Sequence, residues 1–494
     1  MVQCRRIVRM QELAVLRLGD VVAGVQPEAA RREPQLDPVL QHIVFSEAVI
    51  DSRLTTPEAL FVALRGDRVD GHTFLAEVAA RGARGALVRE DQLSSLQVGR
   101  RSTIVGQPGA RADDFLLIPV DEPLTALHRL AAFHRAKFHP AVIGITGSVG
   151  KTSTKEAVGA VLQRSLRTLK SPKSYNSEAT LPIVALQLTA DHEVAVFEMG
   201  MYGPGEIARL AAIARPDIGI VTNVGPSHLG RTGSLEVTAR AKAELIQALP
   251  ADGLAILNND DDRVRAMAQL TAARVVTYGT TSDAMFWADE IVIHGLEHTT
   301  FVMHAEGGSF PVTTPLLGRH VPQLALPAAA AARALGVSWD AIIAGLADPA
   351  LRVRVQTRAL PGGAMLIDDS YNAAPASMLA ALDLLAAQSG RRVAVLADML
   401  ELGSAEQQAH EDVGAAVVGR ADILVTVGAR ARAIAERACA AGMDRDAVYP
   451  LDDVAAAKRL VPDLIGSGTT LLVKGSRAME LNQLVDHLYA LSGL

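Results

Sequence analysis

The sequence predicts an α/β protein of three domains: a small α/β N-terminal domain over residues 1–119, a central parallel-sheet domain over 120–349 and a C-terminal Rossmann-like domain over 350–494. Three observations predict it. Short apolar runs alternate with helical stretches along most of the chain, the pattern of parallel strands covered by helices. A strand, a glycine-rich turn and a helix start follow one another from Ala141 to Leu162. Near Ala350 the segments DPALRV and ALPGGA interrupt the alternation, which then restarts. With 494 residues, 49% hydrophobic and 21% charged, about two to four domains with separate cores are expected.

In chain order, the first segment mixes the apolar runs IVF and LFVAL with DSR and GDRVDGHTF turns, and then reads as a helix over LAEVAARGARGALV (75–88). From Val120 the long helical pattern LTALHRLAAFHRAKF leads into the strands AVIGITG, VAVFEMG, DIGIVTNVG and GLAILNN. After the restart come AMLIDD, RVAVLADM, ADILVTVG and TTLLVKGS, each with a helical neighbour, as in a doubly wound sheet.

A net charge of −6 gives no general basis for holding nucleic acid or an acidic membrane, and 4% aromatics leaves little for base stacking. Alanine-rich helices are expected to cover much of the surface. The two cysteines, Cys4 and Cys439, cannot build a disulfide framework, which fits a reducing compartment. Arginines break the apolar runs of the first twenty residues before a signal-peptide core forms. The most apolar stretch, Leu324 to Gly336, contains Pro327 and Arg333 and is too short to span a bilayer. A cytoplasmic monomer without membrane insertion is the expectation.

At Gly144 the strand AVIGI runs into TGSVGKTSTKEAVGAVL. Glycines let backbone N–H groups converge on phosphate oxygens, and a helix N-terminus adds partial positive charge. Thr146, Gly147, Ser148, Val149 and Gly150 therefore form a candidate ATP cradle, with Lys151 on the β/γ-phosphates and Thr152 on Mg²⁺. The glycines at 144, 147 and 150 depart from the general phosphate-loop spacing, which would put one at Ile145. Lys155, one turn later, reads as an exposed helix charge.

This TGxxGKTxT variant resembles the loop of the Mur ligases and their folylpolyglutamate-synthase relatives. FEMGMYGPGEIARL, IVTNVGPSHLGRTGS, ARAKAEL, IDDSYNAAPASM, LADMLELG and VKGSRAM occur in that family's order and extend the resemblance over nearly the whole chain. The DDSYN, DMLELG and KGSRAM strings are similar to those of the branch that adds D-alanyl-D-alanine to UDP-N-acetylmuramoyl (UDP-MurNAc) tripeptide. The resemblance implies an N-terminal domain for the UDP-sugar, a central ATPase domain and a C-terminal domain receiving the amino substrate. It also implies ATP and Mg²⁺, with an acyl phosphate formed on the peptide carboxylate and then attacked by the amine.

By the same resemblance Glu198 and His228 are magnesium ligands, and Lys242 matches a lysine carried as a carbamate. Read alone, these three are equally a strand-end ion pair, a capping histidine and a helix-surface lysine. Asn258 matches a residue that reads adenine, or it turns the chain with Asn259. Arg354 and Asp369 match residues reaching ATP, or form an ion pair within their own domain. Ser370, Tyr371, Asn372, Lys474, Ser476 and Arg477 are implied to face D-Ala-D-Ala. Ser52, Arg53, Gly66, Asp70, Gly71 and His72 are implied to lie near uridine and diphosphate, and Asn176 near the substrate. His410 matches a family histidine or is a solvated helix residue.

Departures are local. Val321 and Leu324 stand where the family carries asparagines after GRH, Ser174 and Ser177 flank Asn176, Thr180 replaces a glycine and Ala374 an asparagine. A ligase with another amino substrate, or an ATP-binding paralogue without turnover, are the alternatives these positions leave open.

Overall fold

The computed structural model describes residues 16–27, 36–66, 69–227, 229–351 and 355–491. It divides into two compact units: Met1–Val142 with Arg167–Met199 and Ala208–Pro216, and Ile143–Leu166 with Gly200–Ile207 and Asp217–Leu494.

The first unit holds a five-stranded parallel sheet in the order Ala48–Val49, Leu60–Val62, Gly85–Arg89, Phe115–Val120, Ser102–Ile104. Phe61, Val88, Phe115 and Leu117 of these strands pack against Leu75, Val78 and Ala79 of the helix Leu75–Ala80. The sequence reading carries that helix on to Val88, whereas it stops at Ala80. Gly82, at φ 94°, donates to Ala79 O (3.1 Å), and Ala83 donates to Val78 O (3.0 Å). This paired closure ends a helix at a left-handed glycine, and the GALVR that follows is a strand. The helix expected from LTALHRLAAFHRAKF runs Pro123–Arg135, opened by Glu122, whose carboxylate accepts the Thr125 N–H. Val194–Glu198 pairs in parallel with Thr168–Lys170.

In the second unit one sheet runs in the order Gly308–Thr314, His298–Ala305, Phe286–His294, Arg274–Gly279, Leu254–Asn258, Ile218–Val221, Ala141–Thr146. Its first three strands form an antiparallel meander and the rest are parallel. The meander is absent from the sequence reading, which looked for continuous apolar runs. FWADEIVIH and HTTFVMHA instead alternate buried with half-exposed residues, the pattern of strands with one wet face. The alanine-rich helix Pro322–Ala334 also corrects an expectation. Ala325 and Ala328–Ala332 are buried against the helix Lys151–Leu162, so alanine serves close helix packing here rather than surface cover.

The second sheet of this unit runs Gln356–Ala359, Met365–Asp369, Thr469–Lys474, Arg391–Ala397, Ile423–Val427, Val448–Leu451, parallel except for its first pair. Helices cover both faces. Ile367, Ala394, Leu396, Leu424 and Leu472 face the helices Pro375–Ala386, Glu406–Val417 and Arg432–Ala440. Leu366, Val393, Val395, Val425, Leu471 and Val473 face Val454–Leu464 and Asn482–Ala490. Alternate residues go to opposite faces, so strands buried on both sides must read as unbroken apolar runs. That is why VAVLA, ILVTV and TTLLV are visible in the sequence. No described helix is long and apolar enough to cross a membrane.

The helix Pro375–Ala386 tests this facing. Leu382 is fully buried and Leu379 is 37% exposed. Leu382→Ala should destabilise by about 2–5 kcal/mol in urea unfolding, and Leu379→Ala by under about 0.5 kcal/mol. Equal costs would contradict the packing given for this helix.

Candidate functional site

The turn after Ala141–Thr146 has the geometry of a phosphate cradle. Gly147 (φ 147°) and Gly150 (φ 88°) adopt backbone conformations that L side chains rarely reach, and Gly150 opens the helix Lys151–Leu162. A Cβ on Gly147 would overlap the Thr222 hydroxyl. The next strand's loop braces the turn. Asn223 Oδ1 accepts the Val149 N–H (2.9 Å), its Nδ2 donates to Val149 O (2.9 Å), and its backbone O accepts the Ser148 N–H (2.9 Å). Thr222 Oγ1 also donates to Val149 O (2.7 Å), and Ser148 Oγ both donates to and accepts from Gly225.

Lys151 Nζ lies over this turn, donating to Gly147 O at 2.7 Å and Ser148 O at 3.3 Å. Thr152 is buried in the first helical turn. Lys155 corrects its sequence reading: it is fully buried and ion-paired with Glu156 Oε1 at 2.9 Å. A helix packed between other elements leaves no solvated face at that position.

Lys242, on the helix Leu235–Gln247, is 2% exposed. Burial, and secondarily the Lys151 ammonium, hold its pKa well below the ordinary lysine value, which favours a neutral amine. This replaces the surface-lysine alternative. In the first unit Glu198 ends its strand at 1% exposure, and Asn176 Nδ2 donates to its Oε1 at 2.7 Å. His228 and Arg354 lie outside the described residues. Among the described residues no three His, Cys, Asp or Glu side chains gather as a metal site. The predicted donor set does not require such a group, because it draws on a hydroxyl, a carboxylate, His228 and a modified lysine.

Asn258 is buried, donating to Thr222 O (2.7 Å) and accepting the Asp260 N–H (2.9 Å). Its amide therefore supports the same loop that braces the phosphate turn. The departures are also placed. Val321 is fully buried, and Leu324 packs its Cδ2 3.4 Å from where a Cβ on Gly150 would sit, so apolar contact stands where the family has amides. Ser177 and Thr180 bond to each other through their hydroxyls (2.9 Å), and the Ser177 N–H donates to Thr180 Oγ1. Ser377 Oγ accepts the Ala374 N–H, restraining a helix start that has no side-chain cap of its own.

In the C-terminal sheet the DDSYN and KGSRAM loops leave adjacent strands whose last residues, Asp369 and Lys474, are in register. Lys474, 2% exposed, pairs with Asp369 Oδ2 at 2.5 Å and donates to Asn372 O at 3.0 Å. Asp369 is thus in an ion pair, but with Lys474. Ser370 Oγ donates to Asp368 Oδ1 (2.6 Å). Tyr371 and Asn372 are exposed, and the Arg477 guanidinium sits over the Tyr371 ring at 5.8 Å. Buried Ser476 Oγ accepts the Leu400 N–H, and His410 Nε2 accepts the Met399 N–H at 3.0 Å while Nδ1 faces Glu406 O. His410 is 1% exposed, so the solvated-residue alternative fails: it holds the DMLELG turn.

In the N-terminal sheet the DSR and DGH turns follow adjacent parallel strands. Arg53 is exposed and paired with Asp51, beside buried Ser52. Asp70 Oδ1 accepts from His72 N and Nδ1, and His72 Nε2 accepts the Arg89 N–H (3.0 Å). The Gly66 N–H donates to Val69 O and the Gly71 N–H to Leu64 O, closing the loop between them. Sequence reasoning missed Asn223 and the bracing by Ser476. The signals for Asn223 are its place directly after a strand and its membership of the IVTNVGPSHLGRTGS string.

Three family models match: the Mur ligase family catalytic domain over residues 45–135, the Mur ligase middle domain over 145–332 and the Mur ligase glutamate ligase domain over 353–477. The chain belongs to the Mur ligase family, whose members are ATP-dependent ligases that form peptide bonds. It is 36% identical to a Mycobacterium tuberculosis protein, over 97% of this chain and 98% of that one, and 34% identical to an Escherichia coli protein, over 90% and 94%. Both are named UDP-N-acetylmuramoyl-tripeptide–D-alanyl-D-alanine ligase. A crystal structure of MurF from Acinetobacter baumannii superposes with a TM-score of 0.80 at 29% identity, covering 96% of this chain and 99% of that one. A Thermotoga maritima MurF, solved with ADP, shares the fold at TM-score 0.74 and 24% identity, covering 90% and 97%. The three-domain architecture is that of these ligases.

Asn223→Ala removes two of the three side-chain bonds to Val149 and leaves that from Thr222. Nucleotide affinity should fall by about 1–2 kcal/mol, roughly five- to thirtyfold, with thermal unfolding little changed. Unaltered affinity in titration calorimetry would show that the turn holds its shape without Asn223.

Proposed function

We propose that this chain joins D-alanyl-D-alanine to UDP-MurNAc-tripeptide at the expense of ATP, in the cytoplasm and as a monomer. The observation that carries the reading is the pair of loops DDSYN and KGSRAM meeting at one sheet edge, in a chain whose full-length relatives bear that activity in their names. Residues 1–119 would take the UDP-sugar through Ser52, Arg53, Gly66, Asp70, Gly71 and His72. Residues 120–349 would take ATP on Thr146–Thr152 with Asn258, and residues 350–494 the amino substrate.

The γ-phosphoryl group passes to the tripeptide's terminal carboxylate oxygen and ADP leaves. The amine nitrogen then forms a bond to the acyl carbon, the bond from that carbon to the phosphate oxygen breaks, and phosphate departs with the amine proton lost. Positioning and charge neutralisation account for such a transfer. Lys151 supplies the cation at the β/γ-phosphates, and Arg354 a second one from the C-terminal domain. Thr152, Glu198, His228 and, once carbamylated, Lys242 would hold Mg²⁺, which would neutralise phosphate charge. The depressed pKa of Lys242 supports the carbamate, because only a neutral amine adds CO₂. Lys474 is committed to Asp369, so solvent-facing Arg477, stacked on Tyr371, is the cation suited to the D-Ala-D-Ala carboxylate, with Ser370, Asn372 and Ser476 shaping the seat. Asn176 orients Glu198.

The deciding assay is phosphate release with UDP-MurNAc-tripeptide containing meso-diaminopimelate or lysine, with and without D-Ala-D-Ala, and product mass. Release that requires D-Ala-D-Ala and yields pentapeptide is expected. Lys151→Ala should abolish it while UDP-sugar binding stays within about twofold, since the two ligands use different domains. Release with another amino acid instead would identify a ligase of altered substrate and turn attention to Ala374. Turnover in CO₂-depleted buffer should fall and recover on adding bicarbonate. Indifference to bicarbonate would leave Lys242 an unmodified buried amine.

A further inference from the structure

The DMLELG turn of the C-terminal domain meets the helix Leu229–Thr232 backbone to backbone. The helix Leu229–Thr232 begins one residue after His228, and its Gly230 N–H donates to Glu401 O at 3.2 Å. Gly403 lies so close that a Cβ on it would fall 2.8 Å from Gly230 N, 2.9 Å from Gly230 Cα and 3.0 Å from Leu229 C. These are backbone atoms and cannot swing aside. Gly403 also has a φ of 55°. The contact is asymmetric, because a Cβ on Gly230 would meet Gly403 N at 3.6 Å, an ordinary van der Waals distance.

The turn presenting Gly403 is fixed from behind. Met399 N–H is held by His410, Leu400 N–H by Ser476, and Asp398 Oδ1 accepts the Ala431 N–H at 2.7 Å. A turn pinned on its own domain by three bonds, and pressed bare against another domain, transmits position.

We propose that the Gly230–Gly403 contact is the docking point by which the C-terminal domain, as it seats the amino substrate, positions the helix Leu229–Thr232, which follows His228 in sequence. Gly403 is the positioning residue in this reading, acting on the backbone of Leu229 and Gly230, and the reading rests on the ligase function for its effect on turnover. The contact itself can be read without turnover.

The experiment is amide hydrogen exchange over residues 229–233 of the full chain, with kcat, KM and thermal unfolding, for Gly403→Ala, Gly403→Asn and Gly230→Ala. Asparagine tolerates positive φ but still carries the Cβ, so it separates backbone strain from the clash. Both Gly403 variants should speed exchange in 229–233 and lower kcat on the order of a hundredfold, the scale of a displacement of about 1 Å at a reacting centre. KM for ATP and the unfolding temperature should stay near wild type. Gly230→Ala should resemble wild type in exchange and kcat. The proposal is overturned if exchange is unchanged in Gly403→Ala and Gly403→Asn, if Gly403→Asn behaves as wild type, or if Gly230→Ala is as damaging as Gly403→Ala. A wild-type chain without ligase turnover would count against the ligase reading, and the exchange arm would still decide the contact.

Discussion

The close approach of Gly147 to Thr222 is the constraint on which the phosphate-loop domain is organised. A side chain at Gly147 would collide with the Thr222 hydroxyl, so the turn after one strand and the loop after its neighbour are interlocked. Thr222 and Asn223 then supply donors and acceptors to Val149, while Asn258 holds Thr222 O from the next strand. Three successive parallel strands therefore fix one turn through their carboxyl ends. This bracing takes up the Ser148 and Val149 N–H groups themselves, so what it fixes is the shape of the turn, and an anion cradle depends on such preorganisation.

Three buried lysines are treated differently by their surroundings. Lys155 pairs with Glu156 and Lys474 with Asp369, each at hydrogen-bonding distance. Burial of Lys242, with Lys151 as a neighbouring cation adding to it, disfavours its ammonium form, and its pKa falls accordingly. The pairing of Lys474 suits it to holding the loop at Asn372, whereas Lys242 has its charged form disfavoured. Burial therefore separates roles that the residue type alone does not.

This division explains what was legible in the sequence. Strands buried on both faces, such as VAVLA and TTLLV, show as apolar runs, and the phosphate turn shows as glycines in order between a strand and a helix. The meander from Phe286 to Thr314 was not legible as an apolar run because half its side chains meet water. The strand Gly85–Arg89 was lost inside a helical reading because Gly82 acts through a single backbone angle. Among site residues, the motifs fall on loops that follow strands, but motif membership did not distinguish Lys474, tied to Asp369, from Arg477, which faces solvent. It also could not show that Lys155 and His410 are enclosed, since burial of one helix face depends on neighbours distant in sequence.

The departures at Val321 and Leu324 follow from the same packing logic. Leu324 lies against Gly150, at the point where the turn enters its helix, and the buried alanines of Pro322–Ala334 bring that helix onto Lys151–Leu162. An apolar contact on a bare glycine fills space without competing for the turn's N–H groups, whereas an amide there would offer them an alternative acceptor. Leu324 thus packs on the turn at Gly150 while Asn223 and Thr222 hydrogen-bond it at Val149, so the shape of the turn in this chain depends on apolar packing and on Asn223 together.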